Sequence, residues 1–88
     1  MRRAEVVVRG AVQGVFFRAE ARDRARSLGL AGWIRNAVDG TVHAAFEGDE
    51  ARVESMVEWC RRGPAGARVE DVDVTWVEAE GAEGFSVG

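Results

Sequence analysis

The sequence contains no lysine, and all 12 of its basic residues are arginines. This absence excludes chemistry that needs a lysine amine, such as Schiff-base formation, and the lysine-containing phosphate loop of nucleotide hydrolases. The single cysteine, Cys60, excludes a disulfide or a thiolate metal cluster within one chain and favours a reducing, cytoplasmic location. No apolar run approaches the roughly 20 residues of a membrane span, and the three valines near the start are too few for a signal-peptide core. We therefore expect no membrane association.

Histidine and serine are also scarce, which limits the remaining catalytic classes. His43 is the only histidine, and with three serines and no second histidine a Ser-His-Asp triad has little support. No residues show the spacing of metal ligands, so we expect neither a metal nor a cofactor. The net charge of −3 argues against nucleic-acid binding, and the three tryptophans are interpreted as packing residues.

The residues that are present suit one small α+β domain. The 88 residues, 47% apolar and 31% charged, predict a single domain over residues 1–88. The order β-α-β-β-α-β predicts the ferredoxin-like two-layer sandwich, with two helices on one face of an antiparallel sheet. The periodicity of apolar residues predicts strands at 3–9, 30–38, 41–47 and 69–77, helices at 17–28 and 50–62, and a possible short strand at 85–87.

Turn and capping residues mark the ends of these elements. Asp39-Gly40 indicates a two-residue hairpin of type I′, Gly29 is expected to end the first helix, and Asp49 to cap the second. The spacing of apolar residues predicts core positions at Phe17, Ala21, Ala25, Leu28, Val42, Ala44, Phe46, Val53, Met56, Val57 and Cys60.

The most distinctive stretch is Gly10-Ala11-Val12-Gln13-Gly14-Val15-Phe16-Phe17-Arg18, which joins the first strand to the first helix. The first N–H groups of a helix have no partners inside the helix and carry partial positive charge. Glycines let the preceding backbone turn inward, so that its N–H groups form an anion-binding nest. Arg18 can grip the same anion through two parallel hydrogen bonds. Spacing alone leaves an ordinary strand–helix connection equally open.

Asn36 lies near the end of the second strand, just before the hairpin. Asparagine is a poor strand former, so the fold gains little from it there. Two interpretations are open from the residues alone. Asn36 is either a turn-flanking residue or a neutral amide that orients a water by donating and accepting hydrogen bonds.

These two stretches make the chain resemble the acylphosphatase family over nearly its whole length. The signature loop of the family corresponds to residues 10–18. Its second motif corresponds to Gly32-Trp33-Ile34-Arg35-Asn36, followed by Asp39-Gly40-Thr41-Val42, and the Gly63-Pro64 loop is also similar. The resemblance implies the ferredoxin-like sandwich and the hydrolysis of acyl phosphates to a carboxylate and inorganic phosphate.

The resemblance also implies the site residues. The catalytic arginine of the family corresponds to Arg18 and its catalytic asparagine to Asn36. Ala37 departs from family members that carry a hydroxyl residue after the asparagine, so that group cannot help here. We expect a small acyl phosphate as substrate, inorganic phosphate as product and competitive inhibitor, and a monomer. The substrate-binding loop corresponds to Val12, Gln13, Gly14, Val15, Phe16, Phe17 and Arg18.

Two alternatives to a free acylphosphatase remain at this point. The first is the acylphosphatase-like module of carbamoyl-phosphate-processing maturation proteins. The second is a non-enzymatic, ferredoxin-like module that binds an anion. The presence of both Arg18 and Asn36 favours an enzyme, because a binding module needs the anion cradle but not an amide that orients water.

Overall fold

A computed structural model describes the whole chain from Met1 to Gly88. Its order of elements is the predicted βαββαβ series with one additional strand at the end. The strands are β1 (Arg2–Ala11), β2 (Ala31–Asn36), β3 (Val42–Gly48), β4 (Arg68–Glu78) and β5 (Phe85–Val87). The helices are α1 (Phe17–Ser27) and α2 (Glu50–Arg62). Neither helix has the length and apolar composition needed to cross a membrane.

The five strands form one sheet in the order β4-β1-β3-β2-β5. The pairs β1–β3, β1–β4 and β2–β3 are antiparallel, as expected. The last strand differs, because β5 pairs in parallel with β2 and makes the sheet mixed. The chain reaches this edge through the loop of residues 79–84, so β5 runs in the same direction as β2. The predicted ferredoxin-like sandwich is confirmed, with one parallel pair at its edge.

One hydrophobic core lies between the sheet and the two helices. It contains 19 buried residues, among them every predicted core position except Leu28, which is partly buried and packs against the core. Phe17 of α1 packs edge-on against Trp59 of α2, with ring centroids 5.2 Å apart. Phe46 of β3 stacks on Phe85 of β5 at 5.7 Å, which attaches the short last strand to the core.

The helix ends follow the predicted capping. Asp49 caps α2 by accepting a hydrogen bond from the N–H of Arg52. After α1, Gly29 has a φ of 69°, and the N–H groups of Gly29 and Leu30 donate to the carbonyls of Arg26 and Ala25. This is the double hydrogen bond of a Schellman ending, which needs a residue in the left-handed conformation.

The hairpin between β2 and β3 differs from the predicted type I′ turn. Type I′ needs a positive φ at both central residues, whereas here only Gly40 has one, at 91°. The N–H of Ala37 donates to the carbonyl of Thr41, so Val38, Asp39 and Gly40 form a three-residue loop. The side chain of Asp39 accepts hydrogen bonds from the N–H and hydroxyl of Thr41, and this local bonding stabilises the longer loop.

A buried ion pair holds the loop of residues 79–84 against the sheet. Glu47 is 2% exposed and Arg3 is 5% exposed, and Nη1 of Arg3 lies 3.4 Å from Oε1 of Glu47. The Glu47 carboxylate also accepts hydrogen bonds from the main-chain N–H groups of Glu80, Gly81 and Ala82. Since β5 follows directly, these bonds fix the path by which the chain reaches its last strand.

Candidate active site

The loop between β1 and α1 presents an unbroken run of unpaired main-chain donors. The N–H groups from Val12 to Ala19 donate to no acceptor in the protein. The run begins directly after Ala11, the last residue of β1, and two residues beyond a shift in the β1–β4 register between Arg9 and Gly10. Unpaired donors at a helix N-terminus form a binding site for an anion, because the helix dipole adds partial positive charge there.

Two left-handed residues shape this loop. Gly14 has a φ of 73° and Phe16 a φ of 63°, and Phe16 is the only residue other than glycine with a positive φ. Phe16 occupies the N-cap of α1, and no side chain there bonds to the free N–H groups of the helix. Left-handed residues alternating with others turn successive N–H groups toward one point, which is the geometry of an anion nest.

Arg18 lies in the first turn of α1, at the edge of this nest. Its Nη1 donates to the main-chain oxygen of Gly88 over 2.7 Å. The N–H of Gly88 in turn donates to the carbonyl of Ile34, so the end of β5 is fixed to β2. The contact uses one nitrogen of the guanidinium and leaves its other donors for a ligand.

Asn36 is the last residue of β2 and is paired in register with Val42 of β3. Its Oδ1 atom is buried and accepts no hydrogen bond from the protein. A buried polar atom without a partner costs about 1–3 kcal/mol, so such atoms are uncommon unless they serve a ligand or a water. This observation favours the water-orienting interpretation of Asn36 over the turn-flanking one.

Gln13 connects the nest to the hairpin that carries Asn36. Its Nε2 donates to the carbonyl of Ala37 over 2.8 Å and to that of Thr41 over 2.9 Å. Both hydrogen bonds of one amide group thereby join the β1–α1 loop to the residues that follow β2. The Gln13 side chain therefore positions the two halves of the site and does not point at a ligand.

One cavity of about 350 Å³ brings most of the predicted site together. Val12, Gly14, Phe16, Phe17, Arg18 and Asn36 line it, whereas Gln13 and Val15 do not. Val15 instead packs against the core. Three further residues line the cavity without having been predicted, namely Ala19, Arg22 and Val87. The i, i+4 spacing of Arg22 from Arg18 was the only sequence feature that pointed to one of them.

The charges of the cavity are all of one sign. Arg18 and Arg22 line it and no carboxylate does, so the local potential favours an anion although the whole chain carries a net charge of −3. The nearest hairpin carboxylate, Asp39, is bound by Thr41. Because the hydroxyl and the N–H of Thr41 donate to it, the pKa of Asp39 is lowered and this side chain stays ionised outside the cavity.

The other reactive side chains lie away from this cavity. His43 is on the sheet face opposite the core and is half-buried. Cys60 is buried on α2, and burial raises the pKa of its thiol to about 12, so it is a packing residue rather than a nucleophile. The arrangement at the cavity can hold an anion and orient a water, and it contains no side chain suited to form a covalent intermediate.

Comparison with known proteins places the chain in a family. The sequence matches the acylphosphatase family over residues 4–87. It is 54% identical over 88 residues to the acylphosphatase of Roseiflexus sp. strain RS-1, covering 99% of this chain and 95% of that protein. It is 53% identical over 85 residues to the acylphosphatase of Haloquadratum walsbyi, covering 97% of this chain and 91% of the relative.

The fold agrees with a solved member of the same family. The crystal structure of the acylphosphatase from Bacillus subtilis superimposes with a TM-score of 0.96 at 37% identity. The superposition covers 100% of this chain and 99% of that one, which includes the nest, the hairpin and the last strand. Sequence and structure lead to the same conclusion: this chain belongs to the acylphosphatase family of enzymes.

Proposed function

We propose that this chain hydrolyses acyl phosphates to a carboxylate and inorganic phosphate in the cavity between the β1–α1 loop and the end of β2. One observation carries the proposal. Loop residues with unpaired N–H groups, the Arg18 side chain, and Asn36, whose buried Oδ1 has no partner, line the same cavity. The first two suit a phosphoryl group, and the third suits a water beside it.

The chemistry of the acyl phosphate bond explains why a site without an acidic or basic catalytic side chain can hydrolyse it. An acyl phosphate releases a carboxylate, whose conjugate acid has a pKa of about 4, so the leaving group departs without being protonated. The site then needs no general acid. Phosphoryl transfer of this kind asks the protein for positioning and for stabilisation of charge on the phosphoryl oxygens.

The nest and Arg18 perform the charge stabilisation. The N–H groups of the loop and the first helical turn donate to the phosphoryl oxygens, and the forked guanidinium of Arg18 adds two parallel donors. Because these groups are fixed by the backbone and by the contact with Gly88, they need little rearrangement when charge develops.

Asn36 positions the attacking water. Its Oδ1 accepts a hydrogen bond from a water and aims that water in line with the P–O bond. The water proton passes to a phosphoryl oxygen of the substrate, since the cavity contains no carboxylate or histidine to receive it. Gln13 keeps the hairpin, and with it Asn36, at a fixed distance from the nest.

A pair of substrates with different leaving groups tests the proposal. We expect purified protein to hydrolyse acetyl phosphate and to be inhibited competitively by inorganic phosphate. Glycerol phosphate should compete for the same site without being hydrolysed, because its alkoxide leaving group needs a proton that the site cannot supply. Binding of phosphate without turnover of acetyl phosphate would instead identify an anion-binding module.

The proposal also covers the oligomeric state and the cellular compartment of the protein. We propose a monomer in a reducing, cytoplasmic compartment, supported by the single buried cysteine. Sizing the purified protein by light scattering tests the oligomeric state. A stable dimer would contradict this part of the proposal without affecting the catalytic site.

A further inference from the structure

Arg22 is a second guanidinium at the cavity, and the proposed hydrolysis does not use it. It lies one helical turn after Arg18, and i, i+4 neighbours on a helix have Cβ atoms about 5–6 Å apart on the same face. Helical side chains also lean toward the N-terminus, which for α1 is the end that carries the nest. Arg22 therefore lies on the same side of α1 as Arg18 and lines the same cavity, one helical turn farther along the helix.

We propose that Arg22 forms a subsite for a negatively charged group on the acyl part of the substrate, so that anionic acyl phosphates are preferred over neutral ones. This inference rests on the proposed function, because it assumes that the phosphoryl group occupies the nest beside Arg18. It assigns the two arginines different anions: Arg18 binds the phosphoryl group, and Arg22 binds a carboxylate or similar group farther along the acyl chain.

The present partner of Arg22 does not prevent this role. Its Nε and Nη2 lie 3.0 Å from Oδ1 of Asp23, the next residue along the helix. The Asp23 side chain is 68% exposed and does not line the cavity, so the pair lies at the surface, where ion pairs contribute little and exchange readily. Nη1 of Arg22 has no partner in the protein and remains a free donor.

The rest of the cavity fits an acyl chain between two anions. Phe16, Ala19 and Val87 provide an apolar wall beside the arginines. Phe16 is 78% exposed and Val87 is 40% exposed, so both have surface to cover a bound group. No acidic side chain in the cavity would repel a second negative charge.

The other arginines of α1 are engaged elsewhere, which makes Arg22 distinct among them. Arg24 lies over the ring of Trp59, 6.0 Å from its centroid, and faces away from the cavity. Arg26 donates to the carbonyl of Phe85 over 2.9 Å. Arg24→Gln therefore removes the same charge from the same helix without touching the cavity and is a matched control for Arg22→Gln.

Substituted benzoyl phosphates test the subsite, because their rigid ring prevents a carboxylate from attacking its own acyl group. The para- and meta-carboxybenzoyl phosphates are compared with their methyl counterparts as substrates. Benzylphosphonates with the same substituents are compared as ligands that cannot be hydrolysed. The quantity of interest is the preference, meaning the ratio of kcat/KM, or of affinity, for the carboxylate compound over the methyl compound.

We expect Arg22→Gln to lower this preference about tenfold for at least one of the two ring positions, mainly through KM, and Arg24→Gln to leave it unchanged. An unchanged preference in Arg22→Gln, or an equal loss in both variants, overturns the subsite. The phosphonates keep this test separate from the proposed function. If no substrate is hydrolysed but the affinity ratio falls only in Arg22→Gln, the catalytic proposal fails and the subsite stands.

Discussion

At Phe16 the backbone is left-handed although the side chain is large and mostly exposed. Such a conformation costs a residue other than glycine about 1–3 kcal/mol and persists only where the surroundings impose it. Here the surroundings are the nest, since a left-handed residue at the N-cap directs the following N–H groups toward the cavity. The aromatic ring gains little burial in return and lies at the wall of the cavity.

Substitution of Phe16 separates the backbone strain from the side chain. Glycine adopts a positive φ without steric cost, whereas alanine keeps the strain and loses the ring. We expect Phe16→Gly to be about 1 kcal/mol more stable than Phe16→Ala in urea denaturation. Equal stabilities of the two variants would show that the left-handed conformation carries no strain.

The forked shape of Arg18, and not only its charge, is central to phosphate binding in this account. Arg18→Lys keeps one positive charge but loses the parallel donors, so we expect phosphate affinity to fall roughly 10- to 100-fold. Arg24→Lys is the matched control on the same helix and should bind phosphate like the wild type. Calorimetric titration with inorganic phosphate measures both. Affinity retained in Arg18→Lys would mean that charge alone holds the anion.

The sequence pointed to residues that line the cavity more readily than to the residues that hold them in position. Residue types and spacing left an ordinary connection at the loop and a turn-flanking residue at Asn36 open, and the resemblance to the acylphosphatase family selected Arg18 and Asn36. The structure places both residues at one cavity. The position of the Gln13 side chain could not be predicted, because the sequence does not show which carbonyl groups an amide will hydrogen-bond. Arg22 was not among the predicted site residues, because only the fold shows which side of α1 borders the cavity.

At the scale of elements, a β-bulge in the β1–β4 pair, with Glu70 of β4 as the extra residue, lies just before the nest. The β1–β4 register shifts between Arg9 and Gly10, and Gly10 has a φ of 130°. A Cβ atom at Gly10 would collide with the main-chain carbonyl of Arg68 on the neighbouring strand. Only glycine lets the two backbones come this close while the chain leaves the sheet.

Alanine substitutions distinguish this close approach from a merely unfavourable φ. Gly10→Ala brings both a collision with backbone and strain, so we expect a loss of more than about 3 kcal/mol of stability. Gly40→Ala also has a positive φ, of 91°, but open space around it, and should cost only about 1 kcal/mol. Chemical denaturation measures both, and similar losses would contradict the role of backbone contact at Gly10.

The order of the elements followed from periodicity, while two details of their arrangement did not. Three-residue β5 is too short to reveal its partner, and its parallel pairing with β2 depends on how the loop of residues 79–84 crosses the end of the sheet. The Asp39-Gly40 pair correctly marked a hairpin. Hydrogen bonding between Asp39 and Thr41 then selected a three-residue loop over the two-residue turn.

At the scale of the whole molecule, no local sequence pattern predicts the contact between Arg3 and Glu47, because the two residues lie 44 positions apart. Main-chain N–H groups, foremost that of Glu80, donate to the Glu47 carboxylate, and the Arg3 side chain adds a further hydrogen bond. Together they outweigh the effect of burial and lower the pKa of Glu47 below its ordinary 4.5.

This shift predicts how stability depends on pH. Because the carboxylate is favoured in the folded state, its contribution is complete above pH 4.5 and is lost as the pH falls through the lowered folded-state pKa. We expect Glu47→Gln to be less stable than the wild type at pH 7 and the difference to shrink below pH 4.5. Urea denaturation at several pH values tests this. A difference that is constant with pH would rule out the charge of Glu47 as its source.

The proposed mechanism gives the nest and Asn36 separate roles: the nest binds the phosphoryl group, and Asn36 orients the attacking water. The decisive measurement is therefore kcat for acetyl phosphate, together with the inhibition constant of inorganic phosphate, in wild type and Asn36→Ala. Arg35→Ala, an exposed neighbour on the same strand, serves as the control. We predict that kcat falls about 100-fold in Asn36→Ala while the phosphate inhibition constant stays within about twofold. An unchanged kcat, or an equal loss of phosphate binding, would contradict the assignment of Asn36 to the attacking water.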